Sequence, residues 1–447
     1  VYEKIPAGKY TLVETVPPAG YKLANPVSFE VTGKESKAII EMHDKRVATG
    51  ISVEKKDSVS GKSAGAGFKF NIIADEAIKD ASGTVYKGFS AGSVVDTIVT
   101  DASGVAKSKV ALYPGKYHIK EVSSAENYLN DAKDVAFTVV EKKTGETWVA
   151  EVQEFDGKII SVKDTPVMRP IQVQKTDSLS GNAAGAKFTF TVKADKVVDG
   201  SGVTRKGFET GTVIDTITTD GRGIATSKNL YCGTYIVTET VRNQNYILST
   251  KEYRVQVSDN NKTTVPVVVQ IKDDPVRKKI SVTKIDQATG NHCGEGYKFQ
   301  ITAAEDIVDG SGAVYNGYHA GDVVDTIVTD KNGIATSKEL LMGKYFIQEI
   351  EVSDDGGMAI NETKYPFSLA DEKDKDGNLA DVKDTDKVMV IPITDIADVP
   401  TTLNIKKLDF LLDKNGNSII GEDGQPIDGA EPRALEGITF RVKAKGS

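Results

Sequence analysis

One segment recurs three times along the chain with little change, and no other feature constrains the fold as strongly. "SAGSVVDTIVTDASGVAKSK" at 90–109 returns as "ETGTVIDTITTDGRGIATSK" at 209–228 and as "HAGDVVDTIVTDKNGIATSK" at 319–338. Each copy is followed by a glycine-led string: "GKYHIKEV" from Gly115, "GTYIVTET" from Gly233 and "GKYFIQEI" from Gly343, with "GKYTLVET" from Gly8 as a fourth copy. Another shared string opens each unit: "ISVEKKD" from Ile51, "IQVQKTD" from Ile171, "ISVTKID" from Ile280 and "LNIKKLD" from Leu403. Its lysines, Lys55, Lys175, Lys284 and Lys407, recur about every 110 to 120 residues, the length of a domain and far more than a solenoid repeat.

Short β-branched runs, broken by Gly, Asp, Asn and Pro and lacking a sustained 3.6-residue apolar period, predict all-β modules. At this module length the natural solution is a two-sheet, Ig-like sandwich, repeated in an elongated rod. The expected units are the second half of a module at 1–46, complete modules at 47–167, 168–276 and 277–400, and the first half of another at 401–447. Because the chain starts at Val1 with no visible leader or sorting signal, it is expected to be a piece of a longer array.

Composition excludes several function classes. The chain of 447 residues is 39% hydrophobic and 27% charged, with a formal charge of −8. No basic stripe interleaved with aromatics is present, so nucleic acid is not an expected partner. No apolar run reaches membrane-spanning length. Cys232 and Cys293 lie in different repeats and belong to no spaced metal-ligand pair, so neither a disulfide framework nor a zinc site is expected.

Strand alternation exposes an oddity. In the glycine-led strands, Tyr10, Leu12 and Glu14 share one face, as do Tyr117, Ile119 and Glu121; Tyr235, Val237 and Glu239; and Tyr345, Ile347 and Glu349. Each apolar row ends on a glutamate. The opening strands do the same with a lysine: Ile51, Val53 and Lys55; Ile171, Val173 and Lys175; Ile280, Val282 and Lys284. The closing strands end on an aspartate: Ile160, Val162 and Asp164; Val269, Ile271 and Asp273; and, more loosely, Ile391, Ile393 and Asp395, with Ile40, Met42 and Asp44 in the first half-module.

An unpaired charge in apolar surroundings costs several kcal/mol or shifts its pKa until it neutralises. Burial favours the neutral amine, a nucleophile, and the protonated carboxyl, an electrophile, and a second carboxyl can shuttle protons between them. Contact enforced by the fold supplies the effective molarity that a slow amide condensation needs. The competing reading is a strand-end lysine near two carboxylates, solvated or salt-bridged, with no covalent chemistry.

The opening-strand lysine, the "YTLVETVPPAGY" string at 10–21 and the acidic residue of the last strand resemble the B-type repeats of Gram-positive collagen adhesins. These are prealbumin-like, SpaA-type sandwiches of surface adhesins and pilins. The resemblance covers essentially the whole chain. It implies spontaneous Lys–Asp isopeptide bonds within Lys55/Glu121/Asp164, Lys175/Glu239/Asp273 and Lys284/Glu349/Asp395, each assisted by its glutamate as proton shuttle. The chain departs from the pattern after Glu121, Glu239 and Glu349, where the proline–glycine tail erodes, although Tyr128 and Tyr246 survive. Pro392 and a spacing one residue longer leave Asp398 as an alternative to Asp395. Glu14, Asp44 and Lys407 are unpaired half-sites, open to pairing between two chains.

Other motifs point elsewhere. "TDASG", "TDGRG" and "TDKNG" at 100, 219 and 329 resemble pieces of calcium loops, yet an Asp with Gly three residues later is what a tight turn requires. "DKNGNSIIGEDG" from Asp413 fails EF-hand spacing. The four histidines, among them His118 and His319, do not recur between copies and form no catalytic set. No metal, cofactor or external catalysis is expected, only a single-turnover self-crosslink.

The expected function is therefore a structural stalk segment of an extracellular, cell-wall-anchored surface protein. It would be monomeric, attached to peptidoglycan through a region beyond this span, and would meet any host or matrix ligand through other domains. Two further readings are a ligand-binding adhesin head and the shaft of a sortase-assembled pilin.

Overall fold

The computed structural model describes residues 5–34, 39–155, 159–353, 358–371, 373, 379 and 389–395, the last two of these by backbone only. The chain is all-β, a tandem array of sandwiches, as its periodicity predicts. In the first complete sandwich a three-stranded sheet orders Ile159–Asp164, Ser52–Asp57 and Val105–Lys107. It faces a sheet ordered Thr147–Val152, Val135–Thr144, Gly115–Ser123, Lys69–Ala74 and Val94–Val99. The second sandwich packs Ile224–Thr226, Ile171–Asp177 and Val267–Asp273 against a four-stranded sheet. The third does the same with Ile334–Thr336, Ile280–Asp286 and Met389–Asp395. Ahead of them, Gly8–Leu12 pairs with Val27–Val31.

The first and last strands of each sandwich lie side by side and run parallel, a pairing that period-two reading alone does not specify. Lys55 stands opposite Val162 and Asp57 opposite Asp164. Lys175 stands opposite Ile271 and Asp177 opposite Asp273; Lys284 stands opposite Ile393 and Asp286 opposite Asp395. Between the sheets sit three separate apolar cores, each built from the inward row of every strand. Tyr117, Tyr235 and Tyr345 are fully buried at the head of the glutamate rows. Each sends its hydroxyl to a backbone carbonyl four residues earlier, which satisfies the buried phenol.

The first sandwich carries an unpredicted hairpin. Its Val135–Thr144 strand outruns its neighbour and returns through Gly145, at φ +62°, as Thr147–Val152. The hairpin reaches the preceding half-module, where Arg46 pairs with Glu141 at 3.2 Å.

The Asp-x-x-Gly segments are turns. Asp101, Asp220 and Asp330 each accept the amide N–H groups two and four residues ahead, and Gly104, Gly223 and Gly333 take φ of +72° to +79°. The turn has a structural job. The carbonyls of these glycines accept the backbone N–H groups of Lys55, Lys175 and Lys284 at 2.7–2.9 Å, fixing the opening strand where its lysine enters the core.

A Cβ added at Gly223 would lie 2.4 Å from the Lys175 carbonyl oxygen, on a backbone at φ +72°. Gly223→Ala is expected to cost about 1–3 kcal/mol, lowering the melting transition of the second sandwich by at least about 4 °C in calorimetry. The other two transitions should not move.

Candidate functional site

Each site is assembled by three strands from two sheets. The opening strand points its lysine inward, the glycine-led strand of the facing sheet supplies the glutamate, and in the first two sandwiches the parallel closing strand brings its aspartate alongside. In the first sandwich Lys55 Nζ donates to Glu121 Oε2 at 2.5 Å and also to Asp164 Oδ1. All three side chains are at most 1% exposed. In the second, Lys175 Nζ donates to Glu239 Oε2 at 2.6 Å and contacts the Asp273 carboxyl, with all three side chains again at most 1% exposed. In the third, Lys284 Nζ donates to Glu349 Oε1 at 2.6 Å, both wholly buried.

Asp395 holds the register position of Asp164 and Asp273; its side chain lies outside the described residues, as do Asp398, Lys407 and the loop from Asp413. Glu14 and Asp44 come together in the first half-module, where Glu14 Oε2 accepts the Ala24 N–H at 2.7 Å. Partial burial, then the neighbouring Glu14, raise the Asp44 pKa.

Aromatic rings floor each site, a feature the sequence reading missed. Lys55 Nζ lies 5.0 Å from the Phe68 ring centre and 5.4 Å from that of Phe70. Lys175 is set likewise over Phe188 and Phe190, and Lys284 over Tyr297 and Phe299. The second ring of each pair belongs to the residue directly opposite the glutamate in the sheet: Phe70 to Glu121, Phe190 to Glu239, Phe299 to Glu349. The signal was available, since an aromatic-x-aromatic string begins at Phe68, Phe188 and Tyr297. A ring face attracts a cation, excludes water, and offers no hydrogen bond to a carboxylate.

The electrostatics follow from this dryness. Glu121 is raised to about 7, chiefly by burial, with Lys55 opposing the rise and the negative charge of Asp164 adding to it. The same balance raises Glu239 to about 8. Asp164 and Asp273 are also raised, again chiefly by burial and against the pull of their lysines. Glu121 Oε1, Asp164 Oδ2, Glu239 Oε1 and Asp273 Oδ2 accept no hydrogen bond. Such atoms are costly as anions and tolerable in a neutral acid or an amide. A raised carboxyl, an amine in contact and a second carboxyl to move the proton are the groups that an amide condensation needs.

Cys232 and Cys293 form no disulfide. His118 is half-exposed against Asp75, and His319 lies 3.7 Å from Asp306. Among the described residues no cluster of metal-binding side chains occurs, and no helix is long and apolar enough to cross a membrane.

The family model for the SpaA prealbumin-like fold domain matches residues 1–46, 49–153, 169–272 and 278–385. No curated protein matches the chain. Similar solved structures include the Bacillus anthracis TIE protein, at 17% identity and a TM-score of 0.45, covering 88% of this chain and 61% of that one. They also include BcpA, the major pilin subunit of Bacillus cereus, at 16% identity and a TM-score of 0.26, covering 78% of this chain and 99% of that one. The full-length major pilin SpaD of Corynebacterium diphtheriae is similar at 14% identity and a TM-score of 0.23, covering 78% and 97%. The chain thus spans 61% of the TIE protein's length.

Lys55→Met would remove the amine and leave two buried carboxyls whose pKa values burial holds above the ordinary range. A raised folded-state pKa contributes stability that is full below the ordinary carboxylate value and is lost as pH rises through the folded value. The first sandwich of Lys55→Met is therefore expected to melt at a lower temperature at pH 8 than at pH 5, read by calorimetry at both.

Proposed function

The chain belongs to the SpaA prealbumin-like fold domain family, and from that premise we propose that it is a stalk segment of an extracellular, cell-wall-anchored surface protein. Each complete sandwich would be clamped by an isopeptide bond of its own making. The observation that carries the reading is the recurrence, in three cores, of a fully buried lysine bonded to a buried glutamate, on a first strand that lies parallel to the aspartate-bearing last strand.

The chemistry balances within the site. The neutral lysine Nζ attacks the aspartic acid Cγ, forming the N–C bond. The glutamate takes the amine proton and returns it to the departing hydroxyl, the C–O bond breaks, and one water leaves. Lys55 with Asp164 and Glu121, Lys175 with Asp273 and Glu239, and Lys284 with Asp395 and Glu349 fill the three roles. The reaction turns over once and serves no external substrate.

The benefit is mechanical. Tension enters a sandwich at the start of its first strand and leaves at the end of its last. In a parallel pair these are opposite ends, so the ladder is loaded in shear, and an amide across it carries the load covalently. Closing the 109-residue span between Lys55 and Asp164 also removes unfolded-state entropy, worth about 4.7 kcal/mol for a loop of about 100 residues in the disulfide model. Resistance to pulling exceeds that equilibrium gain, because forced unfolding is governed by a rate. Attachment to the wall and presentation of a ligand belong, in this reading, to parts of the parent protein outside this span.

Mass spectrometry of the intact, denatured and reduced chain tests the proposal. It is expected to fall three waters below the sequence mass, one per sandwich, and Glu121→Ala to fall only two below its own. A wild-type mass equal to the sequence mass overturns the reading.

A further inference from the structure

In the first two sandwiches the strand that carries the lysine ends on an aspartate two residues later, and this residue also turns inward. Asp57 and Asp177 are 0% exposed, yet neither touches the lysine site. Each instead anchors a contact with the next sandwich. Asp57 accepts from the Tyr128 hydroxyl at 2.8 Å and from Arg205 Nη2, which comes from the second sandwich, at 2.6 Å. Asp177 accepts from the Tyr246 hydroxyl at 2.9 Å and from the Tyr315 hydroxyl of the third sandwich at 2.5 Å. Arg205 and Tyr315 occupy the same place in "DGSGVTR" and "DGSGAVY".

The rest of the contact repeats as well. The Tyr128 and Tyr246 hydroxyls accept the N–H groups of Gly200 and Gly310 across the junction, at 3.1 and 3.0 Å. A Cβ on Gly200 would stand 2.0 Å from the Ala64 carbonyl oxygen, and one on Gly310 would stand 1.8 Å from that of Ala184. The backbones meet so closely that only glycine fits. On the other side of each junction, the N–H of Asn127 donates to Asp259 at 3.2 Å and the N–H of Asn245 to Asp371 at 2.8 Å. Asp371 is also held by both terminal nitrogens of Arg242 at 2.5 and 3.0 Å. The second sandwich thus supplies a buried arginine to each neighbour, Arg205 backward and Arg242 forward.

Modules on a string are expected to move relative to one another unless a substantial interface prevents it. Here the restraint is electrostatic. Bending at the first junction would draw Arg205 away from Asp57 and leave a carboxylate without its cation where water does not reach, a state that is strongly disfavoured. Burial by itself raises Asp57, and the bonds from Arg205, the Ser60 N–H and Tyr128 outweigh it and hold the group below the usual carboxylate range. The pairing is directional, so it fixes an angle as well as a distance.

We propose that these aspartate-centred junctions latch the three sandwiches into one stiff body, a second stiffening device that is independent of the isopeptide bonds. The junction hydrogen bonds form without any covalent step, so the latch survives even in a chain whose lysines never react. Intact mass therefore decides the clamp, and the junction amides decide the latch.

Hydrogen exchange on the full chain reads it directly, because the amides of Asn127, Gly200, Asn245 and Gly310 donate to side chains of the neighbouring sandwich. They are expected to be protected in the native chain. Gly200→Ala should speed exchange at Asn127 and Gly200 by tenfold or more, with the core strand Thr189–Lys196 still protected and Gly221→Ala, where a Cβ meets open space, without effect. Arg205→Met, which adds no atoms at the glycine contact, should act in the same direction. Unprotected junction amides in the wild-type chain, or protection unchanged in both variants, would overturn the latch.

Discussion

A lysine ammonium in a dry core is the constraint on which each sandwich depends. Lys55, Lys175 and Lys284 are among the largest fully buried side chains, and none has water to solvate it. Two carboxyls per site offer Coulombic return, but placing both as anions beside one cation leaves a net charge in a medium that opposes it. The raised pKa values of the glutamates and aspartates express that conflict. Proton transfer from amine to carboxyl relieves it in part. The proposed condensation would relieve it further, because an amide has no charge to desolvate. The strain that would weaken an ordinary core would thus become the driving arrangement for the proposed clamp.

The same logic explains which features repeat and which drift. Ring faces recur beneath all three amines although the first ring is Phe, Phe and then Tyr, since what the site needs is a dry, cation-tolerant floor. The turn glycine recurs because its carbonyl seats the backbone of the lysine. The proline–glycine tail after the glutamate, by contrast, touches no reacting atom and is replaced by loops that serve the junctions, "SSAENY" and "RNQNY". Loss of one family feature and gain of an inter-module contact occur in the same stretch of chain.

Much of this was legible because a strand displays its faces by parity. Glu121, Lys55 and Asp164 each stood out as a charge on an apolar row, and recurrence at domain spacing tied them to one site. What parity does not encode is which strands are neighbours, so the parallel first–last pairing and the positions of Phe68 and Phe70 emerge only in three dimensions. Asp57 lay on the same inward row as Lys55 and was passed over, because its partner Arg205 is distant in sequence and recurs as Tyr315 rather than as a like residue. Tyr128 and Tyr246 were visible as survivors of an eroded motif, but their task is to bond an aspartate behind them and a glycine of the next unit. The hairpin of the first sandwich has no counterpart in the second, so comparison of those two copies could not register it.

Clamp and latch share a strand, and their order along it ranks their response to load. Lys55 precedes Asp57, so once an amide joins Lys55 to Asp164 the covalent path leaves the opening strand before reaching Asp57 and continues through Asp164 and Thr165 to the second sandwich. The latch lies beside this path. Thermal bending must break buried polar contacts and is resisted, whereas strong tension can open the latch while each clamped sandwich stays closed. A junction opened in this way exposes a buried aspartate, arginine and tyrosine hydroxyl without unfolding any core, and the same groups are positioned to re-form their bonds when load is removed. With the proposed clamp and latch, an array built on this plan would be stiff at rest, yield first at its junctions, and hold its modules intact throughout.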